Sequence, residues 1–185
     1  MRFAAPCVLF IPQVGLAELP PTPDPQDMVV EVAAADPRQI TVQVFEAWRV
    51  SCGGAEADSC RVWQRVQVVV GDVAQDVMSV SLAPSEGTGG LVLVIQTPSD
   101  VYLPADFALR IDRGRERRAR FRNCNAAGCW VVMPVDADLL RDLRRGLEAQ
   151  AAFSLVEGET VRISFSLRGM TEALAAYEAE RAARG

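Results

Sequence analysis

The sequence predicts a mainly β fold: one antiparallel, sandwich-like domain with a short internal helix and a C-terminal helix. Short runs rich in β-branched and aromatic residues recur at close spacing, broken by turn residues at Gly53-Gly54, Gly71-Asp72, 87–90, 112–114 and Glu157-Gly158. In residues 160–167, Val161, Ile163, Phe165 and Leu167 fall on one face and Thr160, Arg162, Ser164 and Ser166 on the other, the alternation of a half-buried strand. The runs also succeed one another without the crossover helices that a parallel sheet requires. A length of 185 residues suits a single domain that buries its own core.

Taken in order, residues 1–17 (MRFAAPCVLFIPQVGLA) carry one positive charge at Arg2, an apolar stretch to Ile11, and small residues at Gly15 and Ala17. They read as a short export signal, too short to span a membrane, with Cys7 as one of its apolar residues. Residues 18–27 hold Pro20, Pro21, Pro23 and Pro25 and read as an extended linker. The domain is expected over 28–185. Its strand-like runs are 28–32, 40–50, 61–70, 77–82, 91–96, 107–111, 118–122, 130–135, 151–156 and 160–167. One helix is expected to start on Asp136 as cap, bury Leu139, Leu140 and Leu143, and stop at Gly146. A second, over 171–184, is expected to dock through Leu174 and Tyr177.

Composition narrows function before any motif does. The chain has no histidine, and all 19 of its basic residues are arginine. That removes the usual neutral-pH base, histidine-activated nucleophiles and histidine-containing zinc sites, together with lysine Schiff bases and the phosphate-loop lysine. The serines have no G-x-S-x-G elbow. Carboxylate pairs for glycoside hydrolysis are spaced in the fold and not in the sequence, so a carboxylate hydrolase stays as the minor alternative to a non-catalytic protein. Loss of residues 1–17 removes Arg2 and leaves 18 basic against 24 acidic residues, a net −6. An acidic, exported domain is a poor nucleic-acid binder.

Four cysteines remain after the leader: Cys52, Cys60, Cys124 and Cys129. An even number in an exported chain points to disulfides. Three connectivities are open, of which local closure, 52 with 60 and 124 with 129, is the most economical. Such small loops contribute about 2–2.5 kcal/mol each. The cysteine gaps do not match zinc knuckles, and C-N-A-A-G-C does not open a helix as a redox motif would. No metal and no cofactor is expected. Trp48, Trp63 and Trp130 each lie within four residues of a cysteine and are expected in the core against the disulfides. An exposed aromatic clamp for a sugar or peptide is the alternative. Asp136-Ala-Asp138 lacks the continuation of a calcium loop and reads as a helix cap.

The candidate binding feature is the run from Arg113 to Arg122. If 118–122 is one strand, Arg118, Arg120 and Arg122 share a face as a stripe of about 13 Å, at roughly 3.3 Å per residue. The stripe suits anionic glycans, lipid phosphates or an acidic protein. Its ordinary alternative is a solvated face paired with neighbouring carboxylates.

A series of markers runs through the chain: Trp48-Arg-Val50-Ser-Cys52, Cys60-Arg-Val62, Leu91-Val-Leu93 closing on Pro98, and Val101-Tyr-Leu103. Leu109-Arg-Ile111-Asp112-Arg-Gly114, Phe121-Arg-Asn-Cys124, Gly128-Cys129 and Phe165-Ser-Leu167-Arg-Gly169 complete it. In order and spacing this resembles the invasion-associated locus B family of exported bacterial proteins, over roughly 44–175. The resemblance implies a small periplasmic or cell-envelope β domain stabilised by disulfides, with Cys52, Cys60, Cys124 and Cys129 as the matching cysteines. It implies no catalytic mechanism. Met170, where the family more often has an aromatic residue, departs from the pattern. The expected role is binding or support of envelope and host interaction, with an unknown envelope or host protein or an anionic glycan or lipid as partner. An accessory protein pairing through a sheet edge is the runner-up.

Overall fold

The computed structural model describes residues 40–53, 60–85 and 89–184; the expected leader, the linker and the run 28–32 lie outside them. Strands β1 (Thr41–Phe45), β2 (Trp48–Cys52), β3 (Cys60–Val70), β4 (Val73–Pro84) and β5 (Leu91–Thr97) form a meander in which each pairs with the next. Then come β6 (Phe107–Ile111), β7 (Arg117–Ala119), β8 (Phe121–Asn125), β9 (Gly128–Pro134), helix α1 (Ala137–Arg145), β10 (Glu148–Ser154), β11 (Thr160–Ser166) and helix α2 (Met170–Arg184). A seven-stranded sheet runs β1-β2-β3-β4-β5-β9-β8 and a four-stranded one β11-β10-β6-β7. Every named pairing is antiparallel, and the sandwich-like arrangement of two sheets with two helices agrees with the expected fold class.

Period-two alternation decides which side chains enter the core. In the large sheet the inward row comprises Trp48 and Val50 in β2, Val62, Gln64 and Val66 in β3, Met78, Val80 and Leu82 in β4, Leu93 and Ile95 in β5, and Val131 and Met133 in β9. The apolar members of that row join Phe107, Leu109, Ala151 and Phe153 of the small sheet in one buried cluster. Phe107 bridges the sheets, edge-on to Phe121 and stacked on Phe153, with centroids 6.4 Å apart in each pair. Helix α2 packs on β1, β2 and β3 through Met170, Ala173, Leu174 and Tyr177. Met170, the departure from the family pattern, is thus a fully buried core side chain.

Two polar groups that enter this core, the Gln64 amide and the indole nitrogen of Trp48, share one acceptor. The Ser166 carbonyl at the end of β11 takes a hydrogen bond from Trp48 Nε1 at 3.2 Å and from Gln64 Nε2 at 3.0 Å. Three residues on, Gly169 turns the chain into α2 with φ +85°, and its α-carbon lies so near the Phe45 carbonyl that a β-carbon would collide with it. Asp112 does comparable work in the small sheet. With φ 45° it directly succeeds β6, and its carboxylate accepts from the Leu147 amide at 3.2 Å and the Glu148 amide at 3.0 Å, setting the register in which β10 starts.

Several runs differ from expectation. The run 40–50 is two strands, because Glu46 adopts φ 49° and folds β1 back on β2. The run 77–82 begins earlier, at Val73, and pairs with β3 around Gly71-Asp72. A bulge between Val66 and Gln67 shifts the register, and beyond it Val69, Val70 and Val73 are exposed by 73%, 59% and 60%. The expected 151–156 strand starts at Glu148, held there by Asp112. Run 118–122 is broken: β7 belongs to the small sheet, β8 to the large one, and Arg120 lies in the crossing. Helix α1 forms as expected, with the Asp136 carboxylate accepting from the Leu139 amide at 2.7 Å and Leu139 and Leu143 buried.

Gly169→Ala should destabilise the domain by about 2 kcal/mol or more, since it combines a disfavoured φ with a backbone clash. Trp48→Phe should cost about 3 kcal/mol, from a lost hydrogen bond and a partly filled cavity. Urea unfolding followed by circular dichroism measures both; changes under about 0.5 kcal/mol, the range of ordinary surface substitutions, would contradict them.

Candidate functional site

Both disulfides are cross-strand pairs. Cys52 and Cys60 face each other in β2 and β3, Cys124 and Cys129 in β8 and β9, and each pair is bonded as local closure predicts. All four are therefore spent on structure. Among the described residues no group of three His, Cys, Asp or Glu side chains is placed to hold a metal ion.

The sequence-predicted arginines Arg118, Arg120 and Arg122 are exposed but do not make one straight stripe, because the chain changes sheets at Arg120. Ala119 and Phe121 do pack against the core, so the alternation survives the crossing. Arg118 pairs with Glu116 at 2.8 Å, and Arg110 reaches the other oxygen of the same carboxylate at 2.9 Å. These hydrogen bonds, Arg110 first and then Arg118, hold the Glu116 carboxyl below the ordinary glutamate range, the wrong direction for a general acid. Arg120 approaches Asp106 at 3.9 Å, and Arg117 bonds Asp142 at 2.8 Å. Arg122 stands on β8 across the break from Arg118. Carboxylates thus pair with Arg117, Arg118 and, at longer range, Arg120, while Arg113, Arg115 and Arg122 form no ion pair among the described residues.

A second basic surface is not among the sequence expectations. Trp48 is in the core as expected, but Trp63 and Trp130 are only partly buried and lie on the outer face of the large sheet. In β3 the inward row is Cys60, Val62, Gln64 and Val66, so Trp63 points out with Arg61 and Arg65. Register brings Arg49 of β2 directly opposite Trp63. The Arg49, Arg61 and Arg65 guanidinium carbons lie 5.4, 5.6 and 5.9 Å from the indole centroid. These are near the outer limit of about 6 Å for a cation–π contact, so none is seated tightly on the ring. Trp63 Nε1 donates to Ser51 Oγ at 3.1 Å, which fixes the ring.

The ring stands beside an open groove of about 520 Å³ lined by Arg61, Trp63, Arg65, Ser79, Ser81 and Gln96 among others. Asp76 binds Arg65 at 3.1 Å, while Arg49 and Arg61 form no ion pair among the described residues. Among the described residues, three guanidiniums therefore converge around one aromatic ring and one of them pairs with a carboxylate, in a chain of net charge −5. The pattern R-V-W-Q-R, with arginines two residues either side of the tryptophan, carries this information: residues i−2, i and i+2 of a strand share a face. Chemically, the surface can hold an anion next to a flat apolar group.

The sequence matches the family model described as Invasion associated locus B (IalB) protein over residues 48–178. Among solved structures, the fold is similar to the crystal structure of invasion associated protein B from Bartonella henselae, with a TM-score of 0.65 and 20% sequence identity, covering 75% of this chain and 96% of that one. No curated protein matches it. With a family match running from Trp48 in β2 to Glu178 in α2, through both sheets and both disulfides, the chain belongs to the invasion associated locus B family.

Proposed function

We propose that this protein is an exported domain of the cell envelope that acts by binding and not by catalysis, in support of envelope or host interaction. The observation that carries the binding role is the outer face of the large sheet, where Arg61 and Trp63 line an open groove, Arg49 lies beside the Trp63 ring, and neither Arg49 nor Arg61 has a carboxylate partner among the described residues. Two cross-strand disulfides support an oxidising destination, as does the character of residues 1–17 as an export leader. Among the described residues no helix is long and apolar enough to cross a membrane. The similar Bartonella protein is called invasion associated, and the same association is proposed for this chain.

A second reading, attachment to another envelope protein through a sheet edge, is favoured by β1. It is the outermost strand of the large sheet, and Val42 and Val44 are 54% and 61% exposed on its outer face.

Expressed with its N-terminal segment, the protein should fractionate with the periplasm, and alkylation without reductant should label none of Cys52, Cys60, Cys124 and Cys129. Retention in the cytoplasm with reactive thiols would overturn the proposal. Replacing Cys52 and Cys60 together by alanine should lower stability by about 2–3 kcal/mol in urea.

A further inference from the structure

We propose that the groove beside Trp63 is a binding site for an acidic saccharide: a sugar ring stacks on the indole, and its sulfate or carboxylate is held by Arg49 and Arg61. This assignment rests on the binding role proposed above and names its ligand class. Arginine forks match oxyanions in a bidentate way, and among the described residues three like charges gather at one ring with a single paired carboxylate, an arrangement able to receive a further anion.

The floor of the groove distinguishes a sugar from a bare anion. One register row crosses the outer face as Arg49, Trp63, Ser81 and Val94, and the next as Arg65, Ser79, Gln96 and Trp130. Ser79 Oγ donates to Gln96 Oε1 at 3.3 Å and Ser81 Oγ to the Val94 carbonyl at 3.5 Å. Gln96 Nε2 donates to the Ala127 carbonyl at 2.7 Å. These hydroxyl contacts are long, so both serine side chains keep the capacity to donate to and to accept from a ligand hydroxyl. Hydroxyls on the floor suit the hydroxyls of a sugar, the arginines around the indole suit an anionic group, and the indole suits the apolar face of a pyranose. An acidic saccharide carries all three features; inorganic sulfate carries one.

The test is calorimetric titration of the full chain with a heparin-derived sulfated tetrasaccharide, beside its desulfated counterpart, inorganic sulfate and anionic phospholipid vesicles. Binding to the sulfated tetrasaccharide should fall about tenfold or more in Trp63→Ala and in the Arg49→Ala/Arg61→Ala double variant, and should persist in Arg118→Ala/Arg120→Ala/Arg122→Ala. Trp63→Phe, which keeps a ring, should retain most of it. Quenching of tryptophan emission by the tetrasaccharide, lost in Trp63→Phe, reports contact at the site independently of affinity. Equal loss in all arginine variants, or unchanged binding in Trp63→Ala with native circular dichroism, would overturn the assignment. Binding of vesicles alone would overturn it while leaving the broader binding role standing; turnover of the saccharide would remove both.

Discussion

The carbonyl oxygen of Ser166, at the end of β11, ties one sheet to the other by accepting two hydrogen bonds. An unsatisfied buried donor costs about 1–3 kcal/mol, and both Trp48 and Gln64 bring a donor into an otherwise largely apolar interior. Because both donors come from the large sheet and the acceptor ends β11 of the small one, the bonds exist only when the two sheets are in place. The shared acceptor ties the register of β2 and β3 to the end of β11. The downstream chain inherits that position: Leu167 enters the core, Gly169 passes under the Phe45 carbonyl, and α2 is laid across β1, β2 and β3. The Trp48 and Gly169 of the family pattern thus bracket one construction, a clasp and the turn that it makes room for.

Local patterns make much of this legible. Alternation in 160–167 marks the inward row of β11, and Asp136 and Gly146 bound α1 by capping chemistry that depends on neighbouring residues alone. Local closure predicts both disulfides, since each joins residues that a hairpin brings opposite. The features that escape depend on partners distant in sequence. Nothing local says that Arg120 lies where the chain leaves one sheet for the other, so the expected straight stripe dissolves into two edges. Glu46 carries no turn signature comparable to glycine, and its positive φ comes from β1 having to return against β2. Trp63 is a different case. Its outward direction is readable from the arginines two residues either side, and the expectation of a core tryptophan overrides a strand period that points the other way.

The two basic surfaces show why arginine content alone is a weak guide to binding. Around Glu116 the guanidiniums have found carboxylates within their own fold, and an incoming anion would have to displace them. Around Trp63 the register of neighbouring strands gathers three guanidiniums, of which only Arg65 pairs with a carboxylate among the described residues. Exposed ion pairs contribute little to stability, so the first surface is close to neutral for the fold, whereas at the second Arg49 and Arg61 form no such pair among the described residues.

The strand order of the large sheet also sets an order of assembly. From β1 to β5 every pairing joins consecutive strands, so this half can form through local contacts, and the Cys52–Cys60 bridge lies wholly inside it. Strand β9 must then come home against β5 across the whole of β6, β7 and β8, with Thr97 and Cys129 meeting over a separation of 32 residues. Loop-closure entropy opposes that return, and opposes still more the Trp48–Ser166 contact, which spans 118 residues. Until that return is complete the meander presents the open hydrogen-bonding edge of β5, a strand edge able to pair with another chain.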